Sequence, residues 1–328
     1  MSQAFSLHLV GFRKESFTNF VGAWSGMRLR ARALTRWCAA MAVAIPSALS
    51  CRGVRTAPPP DSTKARARTP TEAFAPNATS PLGAPLSDGP MRTSVLRGLA
   101  ILASTRDSLP QNALSALRCM SCHLDSGTRR NGIPLTGVYA RFPQYRARSG
   151  QVDMLQDRIN DCFLRSLNGR AIAPTSSAMH DIVAYMAWVS RGIDVGDSVP
   201  GQGLRKLQPL KPDTAHGRTL YASTCIQCHG PNGEGTQIAP PLWGGQSFNI
   251  GAGMARLYTA ASFIRYNMPY SAPGSLSDQD AFDVAGFVLS HPRPDFPGKE
   301  NDWPNGDPPP DVAYQTKAAA LKRPATSH

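Results

Sequence analysis

Two five-residue stretches carry the chemistry of this chain: Cys119-Met-Ser-Cys122-His123 and Cys225-Ile-Gln-Cys228-His229. In a C-x-x-C-H sequence two thiols can add to the vinyl groups of a haem, and the histidine beside them can ligate the iron. A structural zinc site asks for four ligands at suitable spacing, and a redox C-x-x-C needs no histidine next to it. The doubled motif therefore predicts two covalently bound c-type haems, attached at Cys119, Cys122, His123, Cys225, Cys228 and His229. Such a cofactor carries electrons and leaves open whether the chain also acts on a substrate.

A haem iron held by one histidine has a sixth position that the fold must fill or leave open. Met268 stands 39 residues after His229, and Cys162 stands 39 residues after His123. The two halves thus repeat, with a methionine in one where a cysteine stands in the other. Met254 is the rival to Met268, but a methionine at helical spacing is usually core filling. For the first iron the repeat selects Cys162 from among Cys162, Met154, Met179 and His180. A lone thiol in an exported protein is an oxidation hazard unless it has a use. The expected iron ligands are His123 and Cys162 in the first half, His229 and Met268 in the second. Methionine raises a haem potential and an anionic thiolate lowers it, so electrons would enter at the first haem and leave from the second.

The elements that must hold these ligands read as helices. Val95, Leu99 and Leu102 fall on one face of a helix from Ser94 to Ala103. A helix from Gln151 to Leu167 would carry Cys162, with Asp161 and Arg165 at i, i+4 and Ser166 sharing the thiol's face. Thr175 would cap a helix through Trp188 that buries Ile182, Tyr185, Met186 and Val189. Gly217 to Tyr221 leads into the second motif, and Met254 to Tyr266 delivers Met268. Ser277 with Asp280 resembles a capping box opening a helix from Asp278 to Ser290. The fold expected is all-α: two tandem class I cytochrome c domains, each enclosing one covalently bound haem.

The 328 residues have room for two such domains with a tail at each end. Residues 1–51 read as an export signal region with its start at Met27. A basic run to Arg36 precedes an apolar run, Trp37 to Ser50, too short to span a bilayer. Ala48-Leu49-Ser50-Cys51 resembles a lipobox, leaving lipid anchoring at Cys51 and simple secretion both open. Residues 52–90 form a Pro- and Ala-rich tether. Domain 1 covers 91–195, a linker 196–212, domain 2 213–294, and a flexible Pro-rich tail 295–328. Of the seven cysteines, two lie in the signal region, four in the motifs, and the seventh is Cys162, so no disulfide is expected. The formal charge of +13 falls to +5 over residues 86–328, which hold 24 Lys and Arg against 19 Asp and Glu. A mildly basic body suits anionic small substrates or an acidic partner and argues against nucleic acid.

Several strings resemble the thiosulfate dehydrogenase family of dihaem cytochromes c. They include Pro143-Gln-Tyr145-Arg-Ala-Arg148, Ile159-Asn-Asp-Cys162-Phe-Leu-Arg165-Ser166-Leu-Asn168-Gly169, Pro241-Leu-Trp243-Gly244, and Phe263-Ile264 through Asn267-Met268-Pro269. The match covers roughly residues 90–294. It implies that a cysteine at Cys162 ligates the active-site haem and a methionine at Met268 the other. Some members carry a lysine just before that methionine; Asn267 stands here, so no exchange of ligands is expected. The implied reaction joins two thiosulfates into tetrathionate and passes two electrons to a c-type cytochrome or similar acceptor in the periplasm. Arg148 and Ser166 match substrate-contacting positions, Arg165 lies in the same string, and Arg170 is a nearby further candidate. Charge demands such cations: unit like charges about 4 Å apart repel by on the order of 4 kcal/mol at an effective dielectric near 20. Two readings stand beside this one, a dihaem electron carrier without substrate and a Sox-type sulfur-carrier cytochrome.

Overall fold

The computed structural model describes residue 86 and residues 88–322. The expected export signal, Cys51 and nearly all of the tether lie outside these residues. Among the described residues no helix is long and apolar enough to cross a membrane.

Pro90 opens α1 (Pro90–Ala103) where its missing N–H costs nothing, and Val95, Leu99 and Leu102 form the buried face. The short turns α2 (Thr105–Ser108) and α3 (Leu124–Gly127) flank the first motif. A small antiparallel hairpin follows, β1 (Gln144–Arg146) against β2 (Gln151–Asp153), with Tyr145 opposite Val152. Asp157 accepts the Met154 N–H at 2.8 Å and starts α4 (Leu155–Arg165). Ser176 caps α5 (Ser177–Val189) by accepting the Met179 N–H at 3.2 Å.

In the second half Asp213 caps α6 (Thr214–Leu220), and α7 (Ile226–His229) holds the second motif. Then come α8 (Leu257–Asn267) and α9 (Asp278–Leu289). The capping box at Ser277 and Asp280 forms as expected, and Ala281, Val284, Ala285 and Val288 are buried. The last described element is α10 (Lys317–Lys322).

The same helix crossing is built twice. A Cβ at Gly98 in α1 would sit 2.0 Å from the backbone oxygen of Asp181 in α5; one at Gly217 in α6 would sit 2.0 Å from that of Asp283 in α9. Only a residue without a side chain permits this approach. The residue before each glycine then reaches the side chain of that same aspartate. Arg97 Nε donates to Asp181 at 2.7 Å, and His216 Nδ1 lies 2.8 Å from Asp283 Oδ2.

Three expectations change. The helix expected from Gln151 starts only at Leu155, because residues 151–153 pair into the hairpin; the chain remains mostly helical. The boundary between halves is not a packing boundary: Phe248, Ala252 and Ala255, which follow the second motif, complete the core of the first half around Leu102, Phe163 and Tyr185. The flexible tail expected from 295 is instead folded back onto the body through the described residues. Asp302, Trp303 and Thr316 are buried in it. Its few aromatic residues pack on arginines, which composition alone does not reveal.

Candidate active site

Each motif histidine donates its Nδ1–H to a backbone carbonyl, His123 to Ile133 at 2.6 Å and His229 to Pro240 at 2.8 Å. A carbonyl can only accept, so the tautomer is fixed and Nε2 keeps its lone pair for a metal. Burial lowers the His123 pKa to about 4 and depresses that of His229, so burial favours the neutral ring in both. Burial also pushes the Cys119 thiol up to about 11, Cys122 to about 12 and Cys225 to about 11. A negative charge on Cys162 would raise Cys119 and Cys122 further, which sets Cys162 beside the first motif.

An orphaned cation gives a second test of fit. Arg293 is largely buried, its Nη1 has no partner among the described residues, and its Nη2 reaches only the Val288 carbonyl at 3.0 Å. Its guanidinium rests 4.5 Å over the Phe248 ring, and burial alone lowers its pKa to about 10. A buried charge without a counter-charge is costly. A haem propionate is the acceptor this guanidinium lacks. Donor set and orphaned cation both fit covalently bound haem c.

Cys162 lies in the last turn of α4 with Arg158 one turn before it, and Arg158 Nη1 donates to Cys162 Sγ at 2.8 Å. The sequence reading did not select Arg158, although i, i+4 spacing on a helix was the available signal. A negative charge on Cys162 would, ahead of other causes, raise the Arg158 pKa. A cavity of about 260 Å³ opens alongside, lined by Arg146, Arg148, Asn160, Asp161, Leu164 and Arg165 among others. Burial and then the charge of Arg158 depress Arg146; burial and then Arg165 depress Arg148. Asp153 lies 3.6 Å from Arg146 Nε and Asp161 acts on both guanidiniums, yet burial outweighs these carboxylates.

The expected substrate residues are used differently. Arg148, in the hairpin turn, donates Nη1 to the Gly251 carbonyl at 2.7 Å. Arg165 is buried and committed: Nε donates to Asp161 at 2.5 Å, and its terminal nitrogens grip Asp302 at 2.8 and 2.7 Å. This corrects Arg165 as a free anion-holding cation. Burial works against its charge, but these carboxylates outweigh burial and raise its pKa. Ser166 follows α4 directly, half-buried, its N–H on the Cys162 carbonyl. Arg170 is exposed.

Met154 is exposed, Met179 lies wholly in the core, His180 is exposed on α5, and Met254 packs on the core of the first half. Met268 follows α8, and its N–H bonds the Ile264 carbonyl at 2.9 Å. Ile264 packs in the cluster that contains Cys225, which sets α8 beside the second motif. Fully buried Asn267 donates to the Asn131 carbonyl at 2.9 Å and ties α8 to the first half.

Two family models match: the SoxA/TsdA cytochrome c domain over residues 112–195, and cytochrome c oxidase, cbb3-type, subunit III over residues 212–288. Thiosulfate dehydrogenase of Allochromatium vinosum is 48% identical over 229 residues, covering 66% of this chain and 85% of that one. The chain belongs to the thiosulfate dehydrogenase family. Thiosulfate dehydrogenase of Psychrobacter arcticus is 42% identical, covering 77% of this chain and 79% of that one. Among solved structures, thiosulfate dehydrogenase (TsdBA) from Marichromatium purpuratum matches with a TM-score of 0.63 at 34% identity. That match covers 68% of this chain, and the chain spans half the length of that one. Family membership brings covalently bound haem c with it, and two motifs in two cytochrome c domains agree with two haems.

Proposed function

We propose that this protein oxidatively couples two thiosulfates to tetrathionate, in a reaction that can also run backwards, and hands two electrons to an external c-type cytochrome or similar acceptor. The observation that carries this reading is the contact of Arg158 with the Cys162 thiol at 2.8 Å, on the helix whose Asn160, Asp161 and Leu164 line a cavity bordered by Arg146 and Arg148. An electron carrier without a substrate has no need of Arg146 and Arg148 at a cavity on the helix that carries the cysteine. Bound at the two motifs, with Cys162 and Met268 as opposite ligands, the haems would each accept one electron of the pair.

The chain's own residues do the rest. Arg158 donates to Cys162 Sγ and steadies negative charge on that sulfur as it reacts. Arg148 and Arg146 draw in the sulfonate oxygens of the substrate, and Ser166 orients one of them. The outer sulfur of a first thiosulfate bonds to Cys162 Sγ as two electrons leave, giving an S-sulfonate-capped disulfide with one negative charge. A second thiosulfate attacks the sulfur next to Cys162, forms the central bond of tetrathionate and restores the thiolate. Atoms and charge balance in both steps.

Export to the periplasm, with lipid attachment at Cys51 as its anchored form, belongs to the same reading. The Sox-type alternative rests on a distant relative, the SoxA subunit of L-cysteine S-thiosulfotransferase from Paracoccus pantotrophus, 24% identical over 39% of this chain. The test is anaerobic addition of thiosulfate to the oxidised holoprotein, following the visible haem bands and assaying tetrathionate. Reduction with tetrathionate formed is expected. Haems that stay oxidised with thiosulfate, together with no reoxidation of the reduced protein by tetrathionate, would sink the reading.

A further inference from the structure

The segment 295–316 is the least expected contact of the active-site arginines. Asp302 Oδ1 and Oδ2 take both terminal nitrogens of Arg165, and Tyr314 OH donates to the same carboxylate at 2.5 Å. Trp303 donates its backbone N–H to the Arg148 carbonyl at 2.9 Å, and its ring lies 4.6 Å beneath the Arg148 guanidinium. Phe296 lies 4.1 Å beneath that of Arg165. Pro304 presses on Gly150, where a Cβ would meet it at 2.4 Å, and Asn305 donates to the Tyr145 hydroxyl at 2.9 Å. The segment thus grips the hairpin turn that carries Arg148. On the other side, Asp311 accepts the Tyr258 N–H of α8 at 2.9 Å.

Trp303 makes these contacts at a cost. Its φ is +51°, a left-handed conformation that is unfavourable for a bulky residue, and it is buried. Such strain persists only where surrounding contacts over-determine it, and it gathers at functional sites. Here the contacts that hold it are those to Arg148.

We propose that residues 295–316 form a strap that sets the anion affinity of the active site: Trp303 positions Arg148 for the substrate, and Asp302 withdraws Arg165 from it. The two act in opposite directions. Trp303 adds a ring face to the single Gly251 bond that holds the Arg148 guanidinium, so it tightens anion binding. Asp302 adds a negative charge next to the cavity and saturates the second arginine, so it loosens binding and lets product leave. This rests on the anion-site reading above. Both are positioning residues, since neither lines the cavity.

The holoprotein carrying Trp303→Ala, Trp303→Phe or Asp302→Asn tests it. Trp303→Ala raises the thiosulfate KM roughly tenfold with a smaller change in kcat, and Trp303→Phe restores most of the loss. Asp302→Asn keeps the shape and removes the charge, so KM falls severalfold. A variant that merely loosened the fold would raise KM in both cases. The midpoint potential of the Met268 haem stays unmoved throughout. Sulfate, a dianion of similar size without a sulfur to couple, separates this inference from the reaction itself: its Kd by calorimetry moves in the same two directions. Opposite shifts with sulfate in a protein that does not oxidise thiosulfate would keep the strap and remove the reaction. Unchanged affinity in Trp303→Ala, weakened affinity in both Trp303→Ala and Asp302→Asn, or a wild-type protein that binds neither anion would overturn the strap.

Discussion

The two halves hold the same motif with the same glycine-mediated helix crossing, yet the residue 39 positions beyond each motif histidine is set differently. Cys162 sits inside α4, which runs on to Arg165, so the turns around the thiol also carry Arg158, Asp161 and Arg165. Met268 is the first residue after α8, next to buried Asn267, and the nearest charge on that helix, Arg265, is paired with Asp278 at 2.7 Å. One half sets guanidinium groups on the helical turns around Cys162. The other backs Met268 with a buried amide. On the proposed function, that difference separates a place where an anion reacts from one where an electron passes.

The largest effect comes from exchanging the ligands. Cys162→Gly is expected to abolish tetrathionate formation while both haems stay attached, as a two-haem pyridine haemochrome count would show. Met268→Gly lowers the potential of its haem and slows delivery to the acceptor. It leaves the single-turnover reduction of the first haem by thiosulfate in stopped flow. Comparable loss of that first reduction in both variants would erase the distinction between the halves.

Within the first half, Arg158 and Arg165 should separate function from folding. Arg158→Leu removes the donor to Cys162 Sγ, and a loss of about a hundredfold in kcat/KM is expected for a charge-assisted contact at the reacting atom. Its thermal stability changes little. Arg165→Leu strands Asp302 and Asp161 in partly buried surroundings and is expected to cost about 3–5 kcal/mol of stability. Chemical denaturation alongside steady-state kinetics reads both, and an Arg165 variant of normal stability would contradict its structural assignment.

The smallest effect concerns the paired crossings. Asp283 raises the pKa of exposed His216 mainly through their hydrogen bond, and Asp181 does the same for Arg97, which stays charged throughout. A raised imidazole value contributes stability that is fully present below the unfolded value of about 6.5 and is lost as pH rises through the folded one. The second half therefore softens between neutral and mildly alkaline pH, and the first does not. Toward acid both halves lose support, because Asp181 and Asp283 both have depressed values. Thermal midpoints of wild type and His216→Arg at about pH 6 and about pH 8.5 should converge at the lower pH and part at the higher. Parallel curves would show that the histidine pair contributes nothing.

Much of the architecture was legible because it is local. Helical spacing gave the buried faces of α1, α5 and α9, and Ser277 with Asp280 gave the start of α9. Arg158 was legible in principle, one turn from Cys162, but nothing in its own string distinguishes it from a surface arginine. The glycines at 98 and 217 were not, because a close approach between helices distant in sequence leaves no mark on either one. The strap was misread for a physical reason. Its proline-rich, polar composition lacks an apolar period, while Phe296 and Trp303 bury themselves against charged side chains rather than against a hydrophobic core.

The sequence by itself determined the covalent chemistry: two attachment motifs, their histidines, and the cysteine and methionine at equal distance beyond them. That is so because thioether attachment and ligand reach depend on short runs of residue types. Only the tertiary structure decided that Arg165 is neutralised by Asp302, that Arg148 reaches the Gly251 carbonyl, and that Trp303 packs under Arg148. Charges act across space, and the contacts that set them join residues more than a hundred positions apart, where no local pattern can record them.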